Sequence, residues 1–364
     1  ELRSAGYVTA AFMANWGYVT REHGLGRGFI HFEDHTWQKQ LVGSSVLLEG
    51  LVLNEKFKGF LGYQDRIGRK RAPDMNAGVL NWLSDTPERP FFVFMNYMDA
   101  HIPYLPPQPF DRKFVEASQP TPRWTGLYGG KPRTPAEVRV LKDLYESSIA
   151  YLDHHLGLLF EELERRGFLQ NTIIVITSDH GETLGEHGDF LGHAASLYMT
   201  ELHVPLLISF PSRLAPNTTV RDAVTLRDLP ATIMDLVGLD ATALPGHSLA
   251  GYSPSQGPTR PSESLLFSTS IPMEGWTRKE FPVSKGGMTS MIKGGLHYIR
   301  RGDQVEELYG LDGDELEQIN LANRAENNRE LLALRASVDS VLLRQPGRRA
   351  AELRQTGSTP AAVQ

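Results

Sequence analysis

The sequence contains no cysteine and no long apolar run. With no Cys among its 364 residues, the chain cannot contain a disulfide scaffold, a thiolate zinc site or a cysteine nucleophile. Its longest apolar stretches, residues 91–98 and 204–210, are much shorter than the roughly 18 residues that a transmembrane helix needs. We therefore expect no transmembrane segment in this chain.

Strong charge of either sign is also lacking. The 37 Lys and Arg residues against 43 Asp and Glu residues give a net charge of −6, so no basic surface is expected to attract phosphate backbones. Nucleic acid is therefore not an expected partner. Hydrophobic residues at 40% and charged residues at 22% are the proportions of an ordinary globular protein, not of a disordered or fibrous one.

Short β-rich apolar runs alternate with helical patterns over the first two thirds of the chain. Strands are predicted near residues 7–13, 91–97, 172–178 and 204–210, and helices near residues 74–84, 135–167 and 226–237. This alternation is typical of the α/β class. The fold predicted is an α/β/α sandwich around a mainly parallel mixed sheet, formed by a larger domain over residues 1–245.

The pattern changes after residue 245. A stretch rich in Pro, Gly and Ser is followed by short apolar runs separated by Gly-containing turns, which indicate an antiparallel meander. With a closing helix near residues 328–343, this predicts a small C-terminal antiparallel-sheet subdomain over residues 246–345. Residues 346–364 are predicted to form a disordered tail.

Side chains that bind metals or carry protons follow two of the predicted strands. His101 comes after the strand at 91–97, and Asp179-His180-Gly181 follows the strand at 172–178, with His193 in the same downstream loop. Open parallel sheets bind ligands beyond the carboxyl ends of their strands. An Asp-His pair there offers a carboxylate oxygen and an imidazole nitrogen to one divalent ion, while His101 is a general acid or an anion-binding imidazole.

Each of these residues also has a purely structural interpretation. Asp179 would cap the next turn, His180 would be an ordinary loop residue, and His101 would belong to a loop stiffened by prolines. Other histidines and one Asp-His pair are interpreted as packing or solvated residues: His31, His35, His203, His247, His297, and Asp153 with His154 and His155.

Several segments in combination resemble the sulfatase family of the alkaline-phosphatase-like superfamily. They include the Asp-x-His-x-Pro-Tyr segment ending at Tyr104, the strand leading into Asp179-His180-Gly181-Glu182, and His193 followed by Leu197-Tyr198. Further matches lie at Val204-Pro205-Leu206, Gly246-His247-Ser248-Leu249 and Glu307-Leu308-Tyr309. The resemblance extends over residues 1–325 in the order of the family.

The resemblance implies a sulfuric ester hydrolase acting on a small-molecule or saccharide sulfate ester. Asp179 and His180 would be ligands of a divalent metal, with Ca²⁺ favoured. His101 would contact the sulfate and assist departure of the leaving group, and His193 would face a substrate oxygen. A formylglycine hydrate would attack sulfur.

Two family features are missing from their expected places in residues 1–364. The Asp-Asp pair of the first strand and the Cys form of the Cys/Ser-x-Pro-x-Arg motif, which is converted to formylglycine, do not occur. The Ser form is matched only by Ser209-Phe210-Pro211-Ser212-Arg213, which follows Asp179-His180 instead of preceding it. We expect both upstream of Glu1, so that this N-terminally truncated chain alone is inactive. Ala14-Asn15-Trp16-Gly17 also replaces the Gly-Lys-Trp-His of many arylsulfatases, so that substrate clamp is not expected.

Two rival functions remain open. One is a phosphodiesterase or phosphotransferase of the same superfamily, with Thr or Ser as nucleophile and Mn²⁺ or Zn²⁺ as the metal, because imidazole suits transition metals. The other is a catalytically silent metal-binding relative. Since sulfatases are often exported, a periplasmic or secreted location is favoured over a cytoplasmic one, and no oligomeric state is predicted.

Overall fold

A computed structural model describes most of the chain. The described residues are 1–15, 19–34, 69–85, 89–119, 134–188, 191–252, 265–268 and 281–343. They belong to two compact units, residues 1–172 and residues 173–364. The predicted tail at 346–364, and Trp16-Gly17 of the predicted clamp position, lie outside the described residues.

The first unit is built on a three-stranded parallel sheet. Its strands are β1 (Val8–Met13), β2 (His31–Glu33) and β3 (Phe91–Asn96), in the order β2-β1-β3. The central strand β1 is buried on both faces, as its continuous apolar sequence predicts. It pairs with β3 in register from Val8 opposite Phe91 to Met13 opposite Asn96.

Two helices cover one face of this sheet. They are α1 (Ala72–Asp85) and α2 (Pro135–Arg165). Phe12 of β1 packs in one apolar cluster with Met75 and Val79 of α1 and Leu159 of α2. Burial of these side chains between helices and sheet supplies the main stabilisation of the unit.

Helix α2 begins and ends where the sequence predicts. The Thr134 hydroxyl accepts a hydrogen bond from the Glu137 backbone N–H at 3.3 Å, and the Glu137 carboxylate accepts one from the Thr134 N–H at 2.9 Å. This capping box satisfies two N–H groups that otherwise lack helical partners. Gly167, with φ of 76°, follows the helix and supplies the left-handed conformation of its C-terminal turn.

The second unit contains short antiparallel pairings and a larger antiparallel sheet. In its first part lie β4 (Ile174–Thr177), β5 (Thr183–Leu184), β6 (Leu191–Gly192), α3 (Met199–Leu202), β7 (Leu206–Ser209) and α4 (Leu229–Leu236). Strand β4 pairs with β7 antiparallel, and β5 pairs with β6 antiparallel. Among the described residues, each of these pairs forms a two-stranded sheet of its own.

The C-terminal meander is confirmed. Strands β8 (Leu265–Ser268), β9 (Thr289–Lys293), β10 (Leu296–Arg300) and β11 (Glu306–Gly310) form an antiparallel sheet in the order β11-β10-β9-β8. Helix α5 (Asn328–Leu343) packs on it through a cluster that includes Val338 and Tyr298. The predicted domain boundary after residue 245 stays a prediction.

Within the described ranges, none of the helices combines the length and the apolar character that crossing a bilayer requires.

Candidate functional site

His101 lies in the first unit, in the turn that follows the carboxyl end of β3. Its Nδ1 lies 2.6 Å from the Ile102 carbonyl oxygen. Because a carbonyl oxygen can only accept a hydrogen bond, Nδ1 carries the proton and the neutral ring has its lone pair on Nε2. The backbone around His101 therefore fixes which ring nitrogen is basic.

Arg69 holds the turn that carries His101. Its guanidinium donates hydrogen bonds to the carbonyl oxygens of Met98, of His101 at 2.7 Å and of Pro103 at 3.0 Å. These carbonyls lie on both sides of His101, so one planar group restrains the whole turn. The sequence alone does not identify Arg69 as a partner of this turn. Arg69 precedes the turn by about thirty residues, and no local sequence pattern connects the two.

Asp179 and His180 lie in the second unit, directly after β4. The Asp179 side chain is 78% exposed and the His180 side chain 34% exposed, and Oδ1 of Asp179 lies 3.8 Å from Nε2 of His180. Nδ1 of His180 lies 2.8 Å from the Gly181 carbonyl oxygen. This again assigns the proton to Nδ1 and the lone pair to Nε2, the arrangement of a metal-ligating imidazole.

Gly181 attaches the Asp179-His180 turn to helix α3. The Gly181 N–H donates to the Glu201 carbonyl oxygen at 2.7 Å, and a Cβ at this position would lie 2.2 Å from the Thr200 carbonyl oxygen. Only glycine permits this close approach of the turn to α3. The packing therefore holds the backbone that directly follows Asp179 and His180 close to α3.

His193 joins this pair through a β-hairpin. Glu182 directly precedes β5 and His193 directly follows β6, and Oε1 of Glu182 lies 2.9 Å from Nδ1 of His193. The rings of His193 and His180 are stacked, with centroids 4.0 Å apart and planes at 29°. The second unit thus brings together three of the four predicted site residues.

Charge around His193 favours its protonated form. Burial on its own lowers the pKa of this imidazole, but the hydrogen bond and negative charge of Glu182, with the charges of Glu201 and Asp179, raise that pKa above its ordinary value. His193 is therefore suited to contact an anionic group. The sequence placed Glu182 near the site without a role for it.

A second carboxylate–histidine pair lies in the same unit. His297 of β10 contacts Glu317 through Nδ1, and both side chains are fully buried. Glu317 also accepts a hydrogen bond from the Met199 N–H at 2.7 Å. This agrees with the interpretation of His297 as a packing residue.

Comparison with known proteins places the chain in a family. The family model described as Sulfatase matches residues 2–239, a range that contains all four predicted site residues. A sulfatase from Formosa agariphila is 27% identical over 288 residues, which are 72% of this chain and 53% of the relative. Arylsulfatase K of Bos taurus is 26% identical over 283 residues, 67% of this chain and 50% of the relative.

Solved structures share the fold. The phosphonate monoester hydrolase of Agrobacterium radiobacter superimposes with a TM-score of 0.65 at 18% identity, covering 93% of this chain and 78% of that one. The chain spans about half the length of the curated relatives it matches. Because the family model covers well over half of its residues, the chain belongs to the sulfatase family.

Proposed function

We propose that the protein hydrolyses sulfate esters of small molecules or saccharides, and that residues 1–364 form one part of its catalytic machinery. The observation that carries the proposal is the Asp179-His180 turn, which lies with His193 at the end of β4 inside the segment matched by the sulfatase family model. The relatives named sulfatase and arylsulfatase K support the same reaction class.

The Asp179-His180 turn fits half of a divalent metal shell. It offers an exposed carboxylate, and an imidazole whose proton is held on Nδ1 by the Gly181 carbonyl. A divalent cation, with Ca²⁺ favoured, would be held by these two side chains and by ligands from outside residues 1–364. When bound, it supplies positive charge that offsets the negative charge on the sulfate oxygens.

The two remaining histidines are assigned to the substrate. His101, with Nδ1–H held by the Ile102 carbonyl, would as an imidazolium donate its Nε2 proton to the oxygen of the departing alcohol. His193, whose pKa is raised chiefly by Glu182 against the effect of its burial, would contact a sulfate oxygen with its Nε2–H.

The nucleophile is assigned to sequence outside residues 1–364. Within these residues there is no cysteine, and the single Ser-x-Pro-x-Arg sequence begins at Ser209, which pairs with Ile174 at the end of β4 opposite to the Asp179-His180 turn. We therefore propose that the complete protein carries formylglycine and that residues 1–364 on their own show no turnover.

A phosphate ester is the second candidate substrate, favoured by one observation. His180 presents an imidazole nitrogen, not an amide oxygen, to the metal position, and imidazole binds Mn²⁺ and Zn²⁺ better than Ca²⁺. With such a metal the protein would act as a phosphodiesterase or phosphotransferase.

The experiment compares turnover of an aryl sulfate, an aryl phosphate monoester and an aryl phosphodiester by the full-length protein. The proposal predicts the highest kcat/KM with the sulfate ester, and its loss in Asp179→Ala. Asp153→Ala is the matched control, because Asp153-His154 is an exposed Asp-His pair on α2. A preference for either phosphate ester would replace the sulfatase proposal by the second candidate.

A further inference from the structure

The hairpin formed by β5 and β6 sets Glu182 and His193 opposite each other. Its register pairs Thr183 with Gly192 and Leu184 with Leu191. The next pair toward the open end of the hairpin is Glu182 with His193. Side chains directly opposite in an antiparallel pair have Cβ atoms about 5 Å apart. This spacing lets the Glu182 carboxylate reach the His193 ring, and Oε1 of Glu182 lies 2.9 Å from Nδ1 of His193.

This contact selects one protonation pattern of His193. An ionised carboxylate only accepts hydrogen bonds, so Nδ1 of His193 must carry a proton and Nε2 is the nitrogen left to act outside the pair. Stacking on His180, with ring centroids 4.0 Å apart, restrains the plane of the His193 ring. This stacking does not depend on which ring nitrogen is protonated, whereas the hydrogen bond to the Glu182 carboxylate requires a proton on Nδ1.

The Glu182 carboxylate is buried beside the ring it contacts. Its side chain is only 4% exposed, and the adjacent Thr183 hydroxyl lies 2.8 Å from the Thr200 hydroxyl. A buried carboxylate is costly unless it is paired and hydrogen-bonded. The same carboxylate–histidine chemistry occurs at Glu317 and His297, but there both side chains are fully buried, whereas the His193 side chain stays 16% exposed.

We propose that Glu182 is a positioning residue, which keeps a proton on Nδ1 of His193 in both the neutral and the imidazolium form and so aims Nε2 at the substrate. The inference rests on the proposed function for the role of His193. It adds a residue whose effect on the reaction passes through the histidine and not through direct contact with substrate. The fully buried pair of Glu317 and His297 is given no role in orienting a substrate-contacting histidine.

The test uses Glu182→Gln, His193→Gln and the double variant in the full-length protein, with Glu317→Gln as matched control. A Gln side chain presents either its oxygen or its NH₂ group to Nδ1, so both tautomers of His193 become populated. We expect Glu182→Gln to lower kcat about 10-fold, as loss of a histidine-orienting carboxylate does elsewhere. In the His193→Gln background the same change should alter kcat less than about twofold, because coupled residues are non-additive.

A second readout does not depend on turnover. In ¹⁵N spectra of the imidazole nitrogens, recorded at a pH at which His193 is neutral, the wild type should show the Nδ1–H form of His193, Glu182→Gln should show a mixture of tautomers, and Glu317→Gln should match the wild type. An equal kcat loss in both backgrounds, or an unchanged His193 spectrum in Glu182→Gln, would overturn the inference. Absence of sulfate ester turnover in the wild type would refute the proposed function alone, since the spectra still decide the role of Glu182.

Discussion

Single residues decide whether the Asp179-His180 turn can form. Gly181 is the clearest case, because the turn backbone approaches α3 so closely that no Cβ can be accommodated. Its N–H also ties the turn to the Glu201 carbonyl oxygen. The residue between the proposed ligands and the hairpin is therefore constrained by packing from one side and by hydrogen bonding from the other.

Substituting Gly181 by Ala should destabilise the protein by about 2 kcal/mol or more, because the new methyl group would meet the Thr200 carbonyl oxygen at 2.2 Å. Urea unfolding measures the loss. Gly157→Ala on α2 is the matched control: nothing lies within 4 Å of its added Cβ, so it should stabilise by about 0.5–1 kcal/mol. Equal effects of the two changes would contradict this account of Gly181.

The sequence predicts residues of the site when the signal is local. Asp179 and His180 stand out because metal-competent side chains follow a β-branched strand directly. The contact of Glu182 with His193 was not predictable in the same way, because it depends on the register of two strands of only two residues each. Arg69 was missed because its three carbonyl partners are set by tertiary structure alone.

At the scale of elements, the short helix α3 contains a buried acid. Glu201 is 5% exposed, contacts the Ser196 hydroxyl, and its burial raises its pKa from 4.5 to about 7. Burial disfavours the charged form, so folding favours the protonated carboxyl. The stabilising contribution of this group is present below pH 4.5 and is lost as the pH rises through about 7.

We therefore expect the free energy of unfolding to fall with pH more steeply in the wild type than in Glu201→Gln. Between pH 5 and 8 the difference between the two proteins should change by up to about 3 kcal/mol, the equivalent of the raised pKa. Chemical denaturation at several pH values measures it. Glu330→Gln on α5, at an exposed position, should follow the wild type; parallel curves for the wild type and Glu201→Gln would refute the prediction.

Element type was predictable wherever the apolar pattern is long. The capped helix α2, the buried strand β1 and the C-terminal meander all follow from periodicity and turn residues. Strand β3 also forms where its apolar run predicts, but it is only half-buried and Phe94 is exposed, so burial of both of its faces was a wrong expectation. Strands β5 and β6 and the four-residue helix α3 were not predicted, because two to four residues carry too little periodic signal. These short elements are nevertheless the ones that place Glu182 and His193.

At the scale of the whole molecule, the sequence predicts the fold class and the family. The α/β fold class was predictable because alternation of strands and helices is a property of the entire chain. The sulfatase family followed from the order of its motifs along residues 1–325, and the family model matches residues 2–239. The chain spans about half the length of the curated relatives it matches.

Metal binding by the Asp179-His180 turn is the central claim, and calorimetry on the full-length, metal-stripped protein tests it most directly. Titration with Ca²⁺, Mn²⁺ and Zn²⁺ should show one site per chain in the wild type and in Asp153→Ala, with Ca²⁺ bound in the sulfatase case. In Asp179→Ala the affinity should fall at least about 10-fold, because one of the charged ligands is removed. Equal affinities of the wild type and Asp179→Ala for all three ions would contradict the account.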